Sequence, residues 1–562
     1  MNFPAPKSFD LFHNYDRHRL VGDLVAGLTV GLVAIPLAIA FAIASGVTPQ
    51  AGLYTAIVAG FLISALGGSR VQIGGPTGAF VVIVFGIVAR YGFDGLMVCT
   101  IMAGVLLVLL GVTGLGTAVR FIPRPVVVGF TNGIAILIAS TQIKEFFGLQ
   151  IAHMPGDFVG RMHAIALAWR TLSPETTVLS CAALVLILVL RRLAPRIPGY
   201  IVALFAATVA VSLFHLHVET IGTRFGGIPS GMPSFHAPHV SFQTVRMLIS
   251  PAITVALLGA IESLMSAVVA DRMSGDTHNP NVELVGQGIA NIFSPLFGGI
   301  PATGAIARTA TNIRAGASSP IAGITHALTL LCIVLFAAPL AKFIPLAVLA
   351  SILMVVSYNM GEWHEIPELL KLSKLEIGIW FSTLLLTVFA DLTVAVEAGM
   401  ILSALLYIRN VTTTTTVERV TPEYLQEGTN HILQDKDIPD YVAVYRIHGP
   451  FLFGATEKIQ NVHRDLAEDA NLPSILILRL RNMTAIDSTG LQALERLSDA
   501  VHATGRTLIL CGARSQPAEM MRRAEFQDHV GAENFTPHIA AALQRARALH
   551  DSNLSLAIPT MH

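Results

Sequence analysis

Between residues 24 and 409 the chain is a near-continuous succession of apolar runs, cut only by short groups of Arg, Gly and Pro. Such runs have no polar face to offer water, so they fold where lipid or other apolar segments cover them on every side. Fourteen spans are read: 24–45, 52–67, 76–90, 95–115, 124–142, 176–192, 199–215, 250–270, 283–297, 303–314, 320–341, 344–358, 374–391 and 393–409. An even count leaves both chain ends on one side. Composition agrees, with 53% hydrophobic and 13% charged residues among 562 and a mean hydropathy of +0.65, far beyond what a water-soluble chain carries. The expectation is a polytopic α-helical membrane protein. Its polar first twenty residues lack an apolar core followed by a cleavage site, so the first run is read as a retained span.

Formal charge sums to zero, which removes the bulk basicity that nucleic-acid binding needs. Cys99, Cys181, Cys332 and Cys511 are scattered without metal-ligand or disulfide-framework spacing and are read as packing residues; no cofactor or metal is implied. Arg70, Arg120, Arg124, Arg191, Arg192, Arg196, Lys371, Lys374 and Arg409 fall in short loops on the side of the N-terminus. Their excess over Arg90, Lys144, Arg161, Arg170 and Arg224 opposite makes that side cytoplasmic by the positive-inside rule. Asp391, between the last two spans, is read as marking an outer turn.

Two helix-hostile phrases stand about 225 residues apart: GGPTGAF at 74–80 and GGIPATGA at 298–305. LGG at 66–68 matches FGG at 297–299, and FIPRPVVVGF at 121–130 matches FIPLAVLASI at 343–352. Each copy covers seven spans. Because seven is odd, the second copy enters the membrane in the opposite direction, giving a seven-plus-seven inverted repeat. The elements at 76–90 and 303–314 are too short to cross a bilayer alone at about 1.5 Å per residue. They read as half-helices whose N-termini meet at mid-membrane. Helix N-termini carry unpaired N–H groups and the positive dipole end, so two facing each other form an anion site. Gly74, Gly75, Gly78, Gly298, Gly299 and Gly304 allow close backbone approach, and Thr77 and Thr303 can cap or donate. The competing reading makes these ordinary small residues for tight helix packing.

Two ionisable residues lie inside apolar runs: Glu262 mid-way along the eighth span and Arg308 about a turn into the tenth. Intramembrane charges are costly and are generally functional. Two roles are open to Arg308: an ion pair with Glu262, stitching two helices, or the fixed positive charge seen by a transported anion. Arg314 reads as interfacial, and His326, alone in an apolar helix, as a packed and hydrogen-bonded residue.

GAIESLMSAVVADRMSG, with NPNVELVGQGIANIFSPLFGGIPATGAIARTATNIRAGASSPIAG after it and GDLVAGLTVGLVAIPLAIAFAIASGVTPQAGLYTAIVAG at 22–60, resembles the sulfate permease (SulP) family of anion transporters over almost the whole chain. The wording of ELVGQG, ATGAIAR and NIRAGA is most similar to the bacterial dicarboxylic acid transporter branch. The resemblance implies a mobile core domain, a static gate domain and a homodimer. It places the substrate pocket at Thr77, Gly78, Ala79 and Phe80 and at Thr303, Gly304, Ala305, Ile306, Ala307 and Arg308, with proton coupling at Glu262. Ala305 and Ala307 stand where some relatives have serine, which shifts anion contacts toward backbone N–H groups.

Past residue 409 the pattern changes. TTTTT at 412–416 and a polar stretch to 439 read as a linker, and strands then alternate with helices over 440–550, before a tail at 551–562. IDSTGL at 486–491 resembles the loop of the STAS domain. Asp487 and Ser488 are candidates to cap a helix there, and Thr489 sits at the phosphoacceptor position of the related antagonists. The expected layout is a cytoplasmic segment 1–23, a transport domain 24–409, a linker 410–439 and a cytoplasmic STAS domain 440–550 able to dock a protein partner.

The function implied is secondary active, proton-coupled uptake of a dicarboxylate such as succinate or fumarate, or of sulfate, by an elevator-like motion at the inner membrane. The alternatives are sodium-coupled bicarbonate transport, an anion channel, a nucleobase carrier and a membrane-tethered regulatory scaffold. No nucleophile triad, phosphate-binding loop or metal cluster argues for an enzyme.

Overall fold

The computed structural model describes residues 5–12, 15–114, 123–152, 154–194, 197–238, 240–390, 392–420, 438–469 and 472–557. Arg120, Arg196 and Asp391 lie outside these, as does most of the expected linker. The chain forms two compact units, Met1–Ser403 and Ala404–His562.

In the first unit the elements are α1 (Arg17–Ala44), α2 (Pro49–Leu66), β1 (Gly74–Gly75), α3 (Gly78–Val112), α4 (Arg124–Phe147), α5 (Phe158–Ala168), α6 (Pro174–Leu193), α7 (Gly199–Phe214), α8 (Ile221–Phe225), α9 (Phe242–Ser274), α10 (Pro280–Leu296), β2 (Thr303–Gly304), α11 (Ile306–Arg314), α12 (Pro320–Phe336), α13 (Leu346–Met360), α14 (Ile366–Leu369) and α15 (Lys374–Phe389). The helix α16 (Leu392–Thr414) follows. A helix covers each of the fourteen expected runs. The third and fourth share α3, which breaks at Gly92, where φ is 69°; only glycine enters that region at low cost. Seven helical stretches among the described residues are long and apolar enough to cross a bilayer by themselves.

Small residues let the helices approach closely. A Cβ on Gly104 would lie 2.7 Å from the Gly288 carbonyl oxygen, and one on Gly52 would collide with that of Ala38. Cys99 is buried, as expected of a packing residue, whereas Cys181 and Cys332 are exposed on the outer faces of α6 and α12.

Non-helical backbone inside a membrane must find its hydrogen bonds within the protein. The segments before the two short helices do so through each other and through polar side chains. β1 pairs antiparallel with β2, Gly74 opposite Gly304 and Gly75 opposite Thr303. The Ala305 N–H donates to the Ile73 carbonyl at 2.8 Å, and the Ile73 N–H donates to Thr309 Oγ1 at 3.0 Å. Asn312 Nδ2 donates to the Val71 carbonyl at 2.9 Å. On the other strand, the Ala302 N–H donates to Asn291 Oδ1 at 2.9 Å, while Asn291 Nδ2 and Gln287 Nε2 both reach the Ala302 carbonyl. Gln287 and Asn291 of GQGIAN and Thr309 and Asn312 of TATN are therefore brackets for extended backbone.

The second unit is a five-stranded sheet in the order β3 (Thr416–Arg419), β4 (Val442–Phe451), β5 (Ile475–Ile486), β6 (Thr507–Cys511), β7 (Phe535–Thr536). β3 runs antiparallel to β4, and the remaining neighbours are parallel. Between and after these strands lie α17 (Gln460–Glu468), α18 (Ser488–Ala503), α19 (Ser515–Arg523), α20 (Phe526–Val530) and α21 (Ile539–Ala557). The Thr run expected as linker is instead the end of α16 and the start of an edge strand, a position that suits β-branched residues. Residues 551–557, expected as tail, continue α21. Cys511 is 2% exposed, and burial pushes its thiol up to about 12, which fits a packing role.

Candidate functional site

The β1–β2 pair sets the two short helices end to end. α3 and α11 each begin within three residues of the paired glycines, and because the strands are antiparallel the helices leave in opposing directions. Neither N-cap closes its helix with a side chain: Thr77 and Ala305 are both extended and make no cap bond. Thr77 Oγ1 donates instead to Glu262 Oε2 at 2.9 Å. The leading N–H groups of both helices are thus left without a side-chain acceptor, at the positive ends of two dipoles.

A cavity of about 340 Å³ opens against these termini. Thr77, Gly78, Gly304, Ala305, Ile306, Ala307, Arg308 and Glu262 line it, and across from them stand Val126, Val127, Phe130 and Thr131 of α4 and Asn359 and Met360 of α13. Arg308 is the one cation among the lining residues; Glu262 and Glu362 are the acids. The rest of the wall is largely apolar, which strengthens any charge interaction made inside it.

Three expected pocket residues are not part of this lining. Ala79 and Phe80 are 1% and 2% exposed, turned into the packing of α3, and Phe80 faces Gly259 of α9. Thr303 is fully buried and donates its hydroxyl to the Gly259 carbonyl at 3.0 Å.

Of the two roles open to Arg308, the ion pair with Glu262 is not formed among the described residues. The Arg308 guanidinium is 3% exposed, gives one nitrogen to the Pro76 carbonyl and leaves Nη1 without a hydrogen-bond partner. It rests against Gly75, where φ is 149° and a Cβ would lie 2.7 Å from Nη1; only glycine fits there. His326 is likewise buried, but neither ring nitrogen is hydrogen-bonded, unlike the expectation for it.

Sequence reading passed over three buried charges. Asp23 is fully buried and accepts from the Ser318 and Ser319 N–H groups at 2.6 and 3.1 Å and from the Tyr15 hydroxyl at 2.7 Å. Glu283 is fully buried and accepts from the Gly68 and Ser69 N–H groups at 2.8 and 3.0 Å. Arg161, assigned by sequence to an outer loop, is 1% exposed and donates to Ser140 Oγ at 2.9 Å. Asp23 and Glu283 stand at the edges of apolar runs, where a charge passes as a boundary; their signal was that each opens a run rich in small residues.

The sequence profile described as the sulfate permease family matches residues 20–383, and that of the STAS domain matches residues 434–544. The chain belongs to the sulfate permease family. Among its relatives is YvdB of Bacillus subtilis (strain 168), provisionally named a sulfate transporter, 41% identical over 94% of this chain and 98% of its own length. The bicarbonate transporter BicA of Picosynechococcus sp. is 30% identical over 95% of each chain. The structure of murine Slc26a9, an anion transporter in the inward-facing state, superposes with a TM-score of 0.86 at 19% identity, covering 97% of this chain and 94% of that one. The sulfate permease family member described here is accordingly a multi-pass anion transporter with a C-terminal STAS domain, and not an enzyme.

In the STAS unit, Asp487 caps α18: Oδ1 accepts from the Gly490 N–H at 2.8 Å and Oδ2 from the Phe453 N–H at 3.0 Å. Ser488 and Thr489 are exposed in its first turn.

Proposed function

We propose that this transporter is a proton-coupled carrier of a small oxyanion, sulfate or a four-carbon dicarboxylate such as succinate or fumarate. The observation that carries the reading is the convergence of two uncapped helix N-termini and one guanidinium unpaired with any carboxylate on a single cavity, with Glu262 held at its edge by Thr77. The anion is bound by the N–H groups of Gly78, Ile306 and Ala307 and by the field of Arg308; Ala79, Phe80 and Thr303 shape the scaffold behind it. Protonation of Glu262 removes a negative charge beside the anion, so loading and proton uptake favour each other. The core carrying α3, α9 and α11 then moves past the gate that includes α4 and α13.

The test is uptake into proteoliposomes from a panel of labelled sulfate, succinate and bicarbonate at two pH values, with and without an imposed proton gradient. The parent accumulates its anion against the gradient and Glu262→Gln only equilibrates it. Undiminished accumulation by Glu262→Gln rejects this residue as the coupling group, and currents far above carrier turnover without accumulation indicate a channel.

A second reading is sodium-coupled bicarbonate transport, of which the choice of anion is supported by the cyanobacterial relatives named for bicarbonate. A sodium gradient in place of the proton gradient separates the two. The assembly proposed is a homodimer in the inner membrane, with both termini and the STAS domain in the cytoplasm. Thr489, with Ser488, is exposed for phosphorylation, which would add nearly two negative charges at the start of α18 and so alter a docking surface there.

A further inference from the structure

Alongside α2, which packs against β1, three buried side chains share an unusual property. Arg308 Nη1, both ring nitrogens of His326 and Ser64 Oγ have no hydrogen-bond partner, though the three residues are 3%, 0% and 3% exposed. Buried polar atoms in native proteins nearly always have a partner, and where the protein supplies none an ordered water does.

Their placement is regular. A Cβ on Gly75 would lie 3.4 Å from the Ala56 Cα and 2.7 Å from Arg308 Nη1, which sets the guanidinium at the level of Ala56 on α2. A Cβ on Gly60 would lie 3.5 Å from His326 Nδ1 and 3.2 Å from the Gly74 carbonyl oxygen, which sets the imidazole one turn further along. Ser64 is the next turn, its hydroxyl directed at Gly323 of α12, three residues before His326. Residues 56, 60 and 64 share one face of α2, and each step of four residues rises about 6 Å. Two hydrogen bonds of about 2.9 Å laid end to end through one water cover that distance.

We propose that Arg308 Nη1, His326 and Ser64 enclose a short column of bound water along this face, and that His326 is a positioning residue for the anion site, acting on Arg308 through that water. The choice of partner has a reason. A carboxylate behind Arg308 would satisfy its N–H groups but cancel the charge that attracts the anion, whereas water, an imidazole and the Pro76 carbonyl satisfy them and leave the charge intact.

The inference rests on Arg308 being the cation that the anion sees, and two measurements keep the questions apart. The first is hydroxyl-radical footprinting by X-ray radiolysis of the full chain in lipid nanodiscs. Water bound at the ring gives oxidation of His326 in spite of its burial; an unmodified His326, at doses that oxidise exposed residues, overturns the proposal whatever the role of Arg308. The second is initial-rate uptake of labelled sulfate, or of labelled bicarbonate or succinate if the parent takes that up instead. His326→Phe raises KM about tenfold with a maximal rate within about twofold of the parent, and His326→Gln, which keeps a donor and an acceptor, stays within about threefold on KM. A His326→Phe protein with the parent's KM overturns the proposal. If that variant does not fold, the footprint of the parent decides. Unchanged KM in Arg308→Gln instead marks failure of the anion-site reading itself.

Discussion

At the residue scale, two buried charges do opposite work. Arg308 keeps its charge uncancelled beside the cavity, because its contacts are a carbonyl and a glycine backbone rather than an acid. Arg308→Glu is expected to abolish saturable uptake in proteoliposomes, since it reverses the sign of the field at two helix N-termini. Arg308→Lys keeps the charge but not the planar fork, so uptake survives with KM raised about tenfold. Asp23 is an anchor. It accepts the Ser318 and Ser319 N–H groups just ahead of α12, and Asp23→Ala leaves both unpaired, the Ser319 donor in a buried position, at a cost of about 2 kcal/mol. A lowered thermal-unfolding midpoint in detergent, with the parent's KM among molecules still folded, is the expected signature; a lowered midpoint with altered KM would place Asp23 in the transport cycle.

At the element scale, the unit that matters is the pair of two-residue strands and the helices that bracket them. Alone, two backbone pairs are too few to hold such a sheet. Side chains from α10 and α11 supply the remaining hydrogen bonds. Asn291→Leu deprives both the N–H and one acceptor contact of Ala302, so it is predicted to destabilise the fold by about 2 kcal/mol and to weaken anion affinity by shifting β2. Thermal unfolding and a binding titration on the same preparation check both halves. In the STAS unit the equivalent device is the Asp487 cap. Asp487→Ala is expected to cost about 1 kcal/mol and to speed amide exchange at Gly490 and Phe453 while the β5 and β6 amides stay protected. Faster exchange throughout the sheet would mean that the carboxylate holds more than one helix end.

At the scale of the whole transport unit, the cavity lies between α3 and α11 on one wall and α4 and α13 on the other. If one wall moves past the other during transport, tethering them stops turnover. Cysteines at Phe130 and Ile306, in a background lacking Cys99, Cys181, Cys332 and Cys511, joined by a flexible reducible cross-linker, are expected to arrest uptake, and reductant is expected to restore it. Full uptake in the cross-linked protein would mean that these walls do not part. Much of this architecture was legible beforehand. The fourteen helical runs followed from apolar length, and the meeting of two half-helices followed from a repeat of odd span number. The pairing of Gly74 with Gly304 was not legible, because two-residue strands have no periodicity to read. Nor were the buried positions of Glu283 and Arg161, since Glu283 is the first residue of its run, where a charge passes as a boundary, and Arg161 lies outside any run.

Apolar run length, the duplicated Pro, Thr and Gly phrases and the positions of Glu262 and Arg308 in apolar runs determined a membrane fold with two helix N-termini brought together near buried ionisable residues, because lipid permits so few arrangements of backbone that pattern alone selects among them. Which of the flagged residues reach the cavity was decided only in three dimensions. Thr77 turned to Glu262, Thr303 turned away to Gly259, and Arg308 stayed without an acid, because each outcome depends on distances between segments more than 40 residues apart, which no local pattern encodes.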